Sequence, residues 1–321
     1  MTGDDRRYGI TVPFEGVPLA DHRHFFEELV ALGYTDVWSA EVDGADGFTP
    51  LALAAAWEPS LDLGVAVAPV FTRGPALLAQ TAAAMAEAAP GRFALGLGAS
   101  SPVIVERWNG LSYDDPYRRV RDTLRFLRAA LAGEKVTARY DTFSVEGFRL
   151  SRPPAHPPPL YLAALRPGLL RLAGKEADGV VLNWLSAEDV TSALAEVGPG
   201  KEVVARIFVV PVDDPVAARA VARRMITAYL TVPAYAAFHR WLGRGPALQA
   251  MWDAWEGGDR RAALAAVPDE VVDDLVVHGS PEACRRHVER YRDRGVTVPA
   301  LQVVPVGVDL GDSLRGLAPK S

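Results

Sequence analysis

Short apolar runs alternate with longer segments of helical spacing along the whole chain. Several of the runs, Val203–Val210 among them, are almost continuously apolar, which is typical of strands that are buried on both faces. The eight predicted strands are Tyr8–Pro13, Thr35–Ser39, Leu61–Ala68, Arg92–Gly98, Leu160–Ala164, Gly179–Asn183, Val203–Val210 and Pro299–Val306. Because strands that alternate with helices form βα units, this pattern predicts a parallel sheet with helical crossovers.

The segments between the runs carry the spacing and the end signals of helices. In Asp115–Leu131, for example, apolar residues recur close to every 3.6 positions and a glycine follows the segment. The main predicted helices are Leu19–Leu32, Pro75–Ala88, Asp115–Leu131, Pro167–Ala173, Ala187–Val197 and Pro281–Arg294. Eight strands with such crossovers close naturally into a (β/α)₈ barrel, a TIM barrel of one domain over residues 1–321. An open, doubly wound sheet is the alternative that periodicity alone leaves open.

Two stretches depart from the alternation. Residues 134–159 are interpreted as a short hairpin and an extended run into the fifth strand. Residues 211–278 are expected to form a helical insertion between strands seven and eight, with Trp241, Trp252 and Trp255 in it. We expect these tryptophans to serve packing or a subunit contact, and the insertion to cover the mouth of the barrel or to join a homodimer.

Composition narrows the class of protein. Lys and Arg number 34 and Asp and Glu 40, so the formal net charge is −6, and no basic stripe indicates a nucleic-acid partner. The polar N-terminus and the lack of a long apolar stretch predict no signal peptide and no membrane partner, hence a cytoplasmic protein. The single cysteine, Cys284, excludes an internal disulfide and fits a reducing compartment.

Several common catalytic motifs are missing. His22 and His24 are two positions apart and do not share a helix face, so no metal site is expected. The stretch Gly96–Ser101 has a serine where a dinucleotide fingerprint needs its third glycine, and it lacks the closing glycine of a nucleophile elbow. No Walker A sequence occurs. Metalloenzyme, hydrolase, kinase and classical dinucleotide-fold functions are therefore disfavoured.

The remaining candidate residues gather where predicted strands end, which is where barrel enzymes keep their chemistry. Pro167 and Gly168 begin a helix after strand five. The free backbone N–H groups at this helix start, together with Arg166, predict a phosphate-binding site. Glycines at the end of strand four, Gly96 and Gly98, would let a flat ring approach the backbone. Strand two ends in Trp38–Glu41 and strand six in Asn183.

The order of these pieces resembles the luciferase-like monooxygenase superfamily, and within it the oxidoreductases that depend on coenzyme F420. The resemblance extends from Tyr8 to about Gly307. The matching stretches are Gly33–Glu41, Gly64–Pro75, Pro90–Gly98, Leu160–Gly168, Leu172–Asn183, Gly279–Ala283 and Tyr291–Val296. The family has a (β/α)₈ barrel, in agreement with the strand count.

The resemblance implies a place for each part of the cofactor. The deazaflavin ring would lie over a bulge in strand three, at Gly64, Val65 and Ala66, in a register defined to within one residue. Its edges would meet residues that follow strands two and four, namely Ser39, Ala40, Glu41, Gly98, Ala99 and Ser100. The phosphate would be held by the loop after strand five, which is Ala163, Ala164, Leu165, Arg166, Pro167 and Gly168, with help from Asn183.

The resemblance also implies the reaction and its rivals. Hydride would move between C5 of the deazaflavin and a small-molecule substrate. Relatives that oxidise sugar phosphates carry Asp-His after strand two, where this chain has Ala40-Glu41, which disfavours a sugar phosphate as the substrate. Glu41 or Glu15 would be the catalytic group that relays a proton. An FMN-dependent monooxygenase with the same fold is one alternative. A barrel that has lost its cofactor and serves as a binding subunit is another.

Overall fold

The computed structural model describes residues 7–319. The strands are β1 (Gly9–Val12), β2 (Asp36–Ser39), β3 (Asp62–Pro69), β4 (Phe93–Gly98), β5 (Val136–Arg139), β6 (Ser144–Phe148), β7 (Leu160–Ala163), β8 (Gly179–Asn183), β9 (Glu202–Val210), β10 (Val277–His278) and β11 (Val298–Val303). The α-helices are α1 (Arg23–Ala31), α2 (Thr49–Trp57), α3 (Pro75–Ala88), α4 (Pro116–Leu131), α5 (Pro167–Glu176), α6 (Ala187–Val197), α7 (Pro215–Leu230), α8 (Pro233–Trp241), α9 (Gly245–Glu256), α10 (Arg260–Ala265), α11 (Asp269–Leu275), α12 (Pro281–Asp293) and α13 (Leu310–Leu317). A 3₁₀-helix covers Leu19–His22 and a π-helix covers Val103–Trp108.

Eight parallel strands form a closed ring in the order β9, β11, β1, β2, β3, β4, β7 and β8, and β8 pairs back onto β9. The predicted (β/α)₈ barrel is therefore confirmed. The open sheet is wrong, because the pairing of Gly179 with Glu202 removes the free edges that an open sheet would have. The short β10 extends the end of β9, and β5 and β6 form the predicted antiparallel hairpin outside the ring.

The stagger of the ring follows from its register. From Val65, one can follow the paired residues from strand to strand around the ring, continuing each register beyond its last pair where needed. In the direction of β2, β1 and β11, this path reaches β9 at Val209. The pairing through β4, β7 and β8 leads to Lys201, eight residues earlier. A stagger of eight is the value typical of this barrel type. Ala205 is midway between Lys201 and Val209. It and its neighbours on β9 therefore lie at the same level along the barrel axis as Val65 on β3.

Side chains from alternate strand positions fill the barrel. Trp38 is the largest of them and is almost fully buried, together with Tyr161, whose ring centroid lies 6.2 Å away. A Cβ atom at Gly64 would lie 2.1 Å from the Trp38 ring, so β3 needs a glycine there to make room for the indole. The barrel interior is therefore a packed core and not a channel.

Charged groups close the N-terminal end of the barrel. Arg7 forms ion pairs with the carboxylates of Asp36 and Glu202, and the Tyr161 hydroxyl donates to Glu202 Oε2 at 2.5 Å. Asp36 is fully buried, and Arg7 supplies the opposite charge beside it. This network occupies the end of the barrel that lies opposite the predicted site.

The helices α7 to α11 occupy residues 215–275 and build a second apolar cluster. The cluster includes Trp184, which directly follows β8, and Phe208, which lies near the C-terminal end of β9. Trp252 is buried in it and its indole N–H donates to the Leu230 carbonyl at 2.9 Å. For Trp252, the expectation that these tryptophans serve packing is confirmed. Among the described helices, none joins the length to the apolar composition that a membrane crossing needs.

Candidate active site

A bulge in β3 lies at the C-terminal end of the barrel. The pairing of β3 with β4 shifts register between Val65 and Ala68, and the Ala66–Val67 peptide is cis. The sequence interpretation centred the bulge on Gly64, Val65 and Ala66, about one residue too early, and it missed Val67. The small residues of the neighbouring strand were the available signal, because they face a backbone that bulges toward them.

Two glycines of β4 accommodate this bulge. A Cβ atom at Gly98 would lie 2.4 Å from Val67 Cγ2, and one at Gly96 would lie 2.3 Å from the Val65 carbonyl oxygen. The sequence predicts space for a flat ring in front of Gly96 and Gly98, but the protein itself already fills that space. Gly96 and Gly98 make room for the strand-three bulge, which in turn forms the floor of the site.

The loop after β2 is held by its own side chains. Ser39 donates its hydroxyl to the Gly47 carbonyl, and the Gly47 N–H donates to Glu41 Oε2 at 3.0 Å. Arg73 binds Glu41 through both Nε and Nη2, at 2.7 Å for the shorter contact with Oε2. Arg73 lies 32 residues from Glu41, so no local spacing in the sequence signals this pair.

Ala40 and Glu15, the other residues predicted around strands one and two, make fewer contacts than Ser39 and Glu41. Ala40 is half-buried beside Ser39. Glu15 is exposed in the loop after β1, and no described contact brings it to Glu41. The structure thus places the two candidate proton carriers in different settings: one is bound to an arginine and the other lies at the surface.

The segment after β4 has a constrained backbone. Ser100 has a φ of +65°, which is uncommon for a residue other than glycine and is concentrated at functional sites. Its hydroxyl is buried without a partner, while its carbonyl accepts from Tyr113 at 3.0 Å. Ala99 is half-buried next to it. Tyr113 was not predicted, since it lies in an irregular stretch between the π-helix and α4.

Helix α5 begins at the mouth with an open N-terminus. Arg166 is its N-cap residue and Pro167 its first residue, and no side chain caps the free N–H groups that begin at Gly168. Arg166 is exposed. The Tyr117 ring lies beside Gly168, 3.8 Å from where a Cβ atom of that residue would be. The residues before it, Ala163 to Leu165, lead out of β7, and Ala163 packs in the barrel interior. A helix start with free N–H groups and an adjacent cation suits an anion.

Asn183, which is predicted to help hold the phosphate, lies at the C-terminal end of β8 and contacts helix α8. Its amide nitrogen donates to the Tyr235 hydroxyl of α8 at 2.9 Å, and its amide oxygen is buried without a partner. The next residue, Trp184, has a φ of +54° and stacks on Phe208 with centroids 4.1 Å apart. Asn183 therefore ties β8 to the helices of residues 215–275. Tyr235 was missed because α8 carries no recognisable motif.

Unpaired polar atoms accumulate around this mouth. A buried polar group without a partner costs about 1–3 kcal/mol, and each such group needs an explanation. Those on interior positions near the C-terminal strand ends, or just beyond them, are Thr11 Oγ1, Ser100 Oγ, Asn183 Oδ1, Trp184 Nε1 and Arg206 Nε. A polar, flat ligand with a phosphate would find partners in this arrangement, so the residues present fit a deazaflavin or flavin cofactor.

His22, His239 and Cys284 are buried in the protein interior. His22 Nε2 accepts from the Phe14 N–H at 2.9 Å and so fixes the loop after β1. His239 is fully buried, and burial lowers its pKa to about 3. Cys284 is also fully buried, and burial raises the pKa of its thiol to about 12. Within residues 7–319 no group of His, Cys, Asp and Glu side chains is arranged to hold a metal ion.

The chain is similar in sequence to several proteins of known activity. The chain is 27% identical over 292 residues to a 5,10-methylenetetrahydromethanopterin reductase of Methanolobus tindarius, which covers 87% of this chain and 89% of that protein. It is 35% identical over 181 residues to an F420-dependent glucose-6-phosphate dehydrogenase of Beutenbergia cavernae, over 53% of this chain and 54% of that one.

The fold has a solved counterpart as well. The coenzyme F420 dependent tetrahydromethanopterin reductase of Methanopyrus kandleri superposes with a TM-score of 0.80 at 18% identity, over 98% of this chain and 97% of that chain. The family model described as luciferase-like monooxygenase matches residues 6–298. The resemblance found in the sequence is thus confirmed, and the chain belongs to the luciferase-like monooxygenase family.

Proposed function

We propose that this protein is an F420-dependent oxidoreductase that transfers a hydride between C5 of the deazaflavin and a small organic substrate. The observation that carries the proposal is the combination found at one end of the barrel: the strand-three bulge, the uncapped start of α5 beside Arg166, and several buried polar atoms without partners. Two of the relatives named above are described as F420-dependent, which favours this cofactor over FMN.

The residues divide between the parts of the cofactor. Arg166 and the N–H groups that start at Gly168 would hold the phosphate, with the free Ser100 hydroxyl nearby. The bulge at Ala66 and Val67 would support the ring. When bound, the deazaflavin supplies the hydride-carrying carbon, and the protein contributes binding, orientation and a dry environment.

Proton relay is proposed for one of the two carboxylates that follow β1 and β2. Because Arg73 occupies both oxygens of Glu41, we assign Glu41 mainly to holding the loop after β2. Glu15 forms no ion pair within the described part of the chain, and it is the better candidate for moving a proton. The predicted homodimer stays a prediction, and light scattering of the purified protein tests it.

The test is a titration of the purified protein with F420 and with FMN, followed by cofactor fluorescence. We expect F420 to bind more tightly than FMN. Arg166→Gln should weaken F420 binding about 10-fold or more, since a charge-assisted hydrogen bond contributes about 1.5–3 kcal/mol. The matched control is Arg171→Gln on the same helix, where the arginine is paired with Glu196, and it should leave the affinity unchanged.

The outcomes separate the alternatives. Tight FMN binding without F420 binding would overturn the proposal in favour of a flavin monooxygenase. Binding of neither cofactor would favour the barrel that has lost its cofactor. Equal effects of the two arginine variants would show that α5 does not hold the phosphate.

A further inference from the structure

Arg206 lies on the wall of the barrel that faces the strand-three bulge. In the closed ring, β9 is four strands away from β3 in either direction, so the two strands are opposite each other. Arg206 follows Ala205, the position at the height of Val65, and it shares the interior face of β9 with Val204. A ring whose one face rests on the bulge therefore turns its other face toward Arg206.

The guanidinium of Arg206 has few partners. One Nη atom donates to Gln302 Oε1, and the group lies 5.0 Å from the centroid of the Phe208 ring. Its Nε atom is buried without a hydrogen-bond partner. Among the described residues no carboxylate forms an ion pair with Arg206, whereas the half-buried Arg73 and Arg244 each pair with two carboxylates. A cation in this setting lacks the anion that usually accompanies it.

The named neighbours of Arg206, which are Asn183, Gln302 and Tyr235, carry no negative charge, and Tyr235 adds a hydrogen-bond donor. Asn183 pairs with Arg206 in the register of β8 and β9, and its amide leads to Tyr235. The Tyr235 hydroxyl accepts from Asn183, which leaves its own hydrogen available to a ligand. Burial raises the pKa of Tyr235 to about 12, so the phenol stays a neutral donor near neutral pH. This wall can thus offer the Arg206 fork and a phenolic O–H to one acceptor group.

We propose that Arg206, supported by Gln302 and Tyr235, binds a carboxylate of the substrate on the free face of the deazaflavin. The planar fork of arginine matches the two oxygens of a carboxylate, which makes this group the best fit. The placement relative to the ring rests on the proposed function, but the anion site itself consists of residues of this chain. The substrate class is accordingly an organic acid, and Arg206 sets the distance from its carboxylate to the reacting carbon.

The experiment compares acids with their neutral esters. Acetate, propanoate, benzoate and cinnamate, each with its methyl ester, are titrated by calorimetry into the apoprotein and into the F420-loaded protein. At least one acid should bind about 10- to 100-fold more tightly than its ester, as expected for a charge-assisted contact. Arg206→Gln should abolish this preference, and Arg206→Lys should retain part of it.

A matched control removes an arginine from the other end of the barrel. Arg92 donates to the Leu61 carbonyl ahead of β4, so Arg92→Gln makes the same charge change away from the mouth and should preserve the preference for acids. Circular dichroism and urea unfolding of each variant check that it folds.

Four results would overturn the inference. No acid in the series binds the wild type more tightly than its ester; Arg206→Gln weakens acids and esters equally; Arg92→Gln has the same effect as Arg206→Gln; or Arg206→Gln weakens F420 binding and leaves the acids untouched. Failure of F420 to bind while the acids still bind the apoprotein through Arg206 would refute the proposed function and leave the carboxylate site standing.

Discussion

Replacement of Gly98 by alanine should disturb the floor of the site in a measurable way. The new Cβ would lie 2.4 Å from Val67 Cγ2, whereas carbon atoms in favourable contact are about 3.5–4.0 Å apart. One of the two strands must therefore move by about 1 Å or the valine must leave its rotamer, at a cost of about 1–3 kcal/mol in the free energy of unfolding. Because Val67 belongs to the bulge, the same shift should lower the affinity for F420.

The assay is a double-mutant cycle in urea. Val67→Ala removes the Cγ2 atom, and the next contacts of the new methyl group, with the Cβ atoms of Val67 and Ala163, are 3.4 and 3.5 Å. Gly98→Ala should then cost much less in the Val67→Ala background, with a coupling free energy of about 1–2 kcal/mol. Gly44→Ala is the control, since a Cβ there meets no atom within 4 Å, and it should change the stability by less than about 0.5 kcal/mol. If the two changes at positions 98 and 67 are additive, the close approach of Val67 to β4 is not what requires the glycine.

Three further predictions concern groups away from the floor. His239 stays neutral in the folded protein because its pKa is about 3, whereas in the unfolded chain it takes up a proton below about pH 6.5. The free energy of unfolding should therefore fall as the pH decreases from about 6.5 toward 3. Measured by urea unfolding between about pH 7 and 5, this fall should be smaller in His239→Phe. The Cys284 thiol, buried with a pKa of about 12, should not react with a disulfide reagent at pH 8 in the folded protein and should react at once in guanidinium; rapid labelling of the native protein would contradict the described packing. Arg73→Gln should lower the free energy of unfolding by about 1–2 kcal/mol, because it leaves the half-buried Glu41 without its arginine. Adding Glu41→Gln should recover part of that loss. An unchanged urea midpoint for the single variant would show that the ion pair is not formed in solution.

Much of the barrel could be predicted because its strands are buried on both faces. Runs such as Val203–Val210 then differ clearly from the helices between them, and the boundaries agree with β9 to within one residue. Helix α2 was missed for the opposite reason. Its sequence, Thr49–Trp57, is apolar almost throughout, so it has no polar stripe to reveal a helical period.

The site was predictable only where it depends on local backbone chemistry. Pro167 and Gly168 announce a helix start in the sequence, and α5 begins at Pro167. The contacts of Glu41 with Arg73 and of Asn183 with Tyr235 join segments 32 and 52 residues apart, and no pattern along the chain encodes them. Arg206 was not singled out, because one cation within an apolar strand is recognised as unpaired only when the ring has closed around it.

The crystal structure of the protein with F420 bound tests the central claim most directly. The account predicts electron density for the deazaflavin over Ala66 and Val67, with one face toward Arg206 and the phosphate within hydrogen-bond distance of the Gly168 N–H. Density for the cofactor elsewhere, or a phosphate bound away from the start of α5, would contradict it.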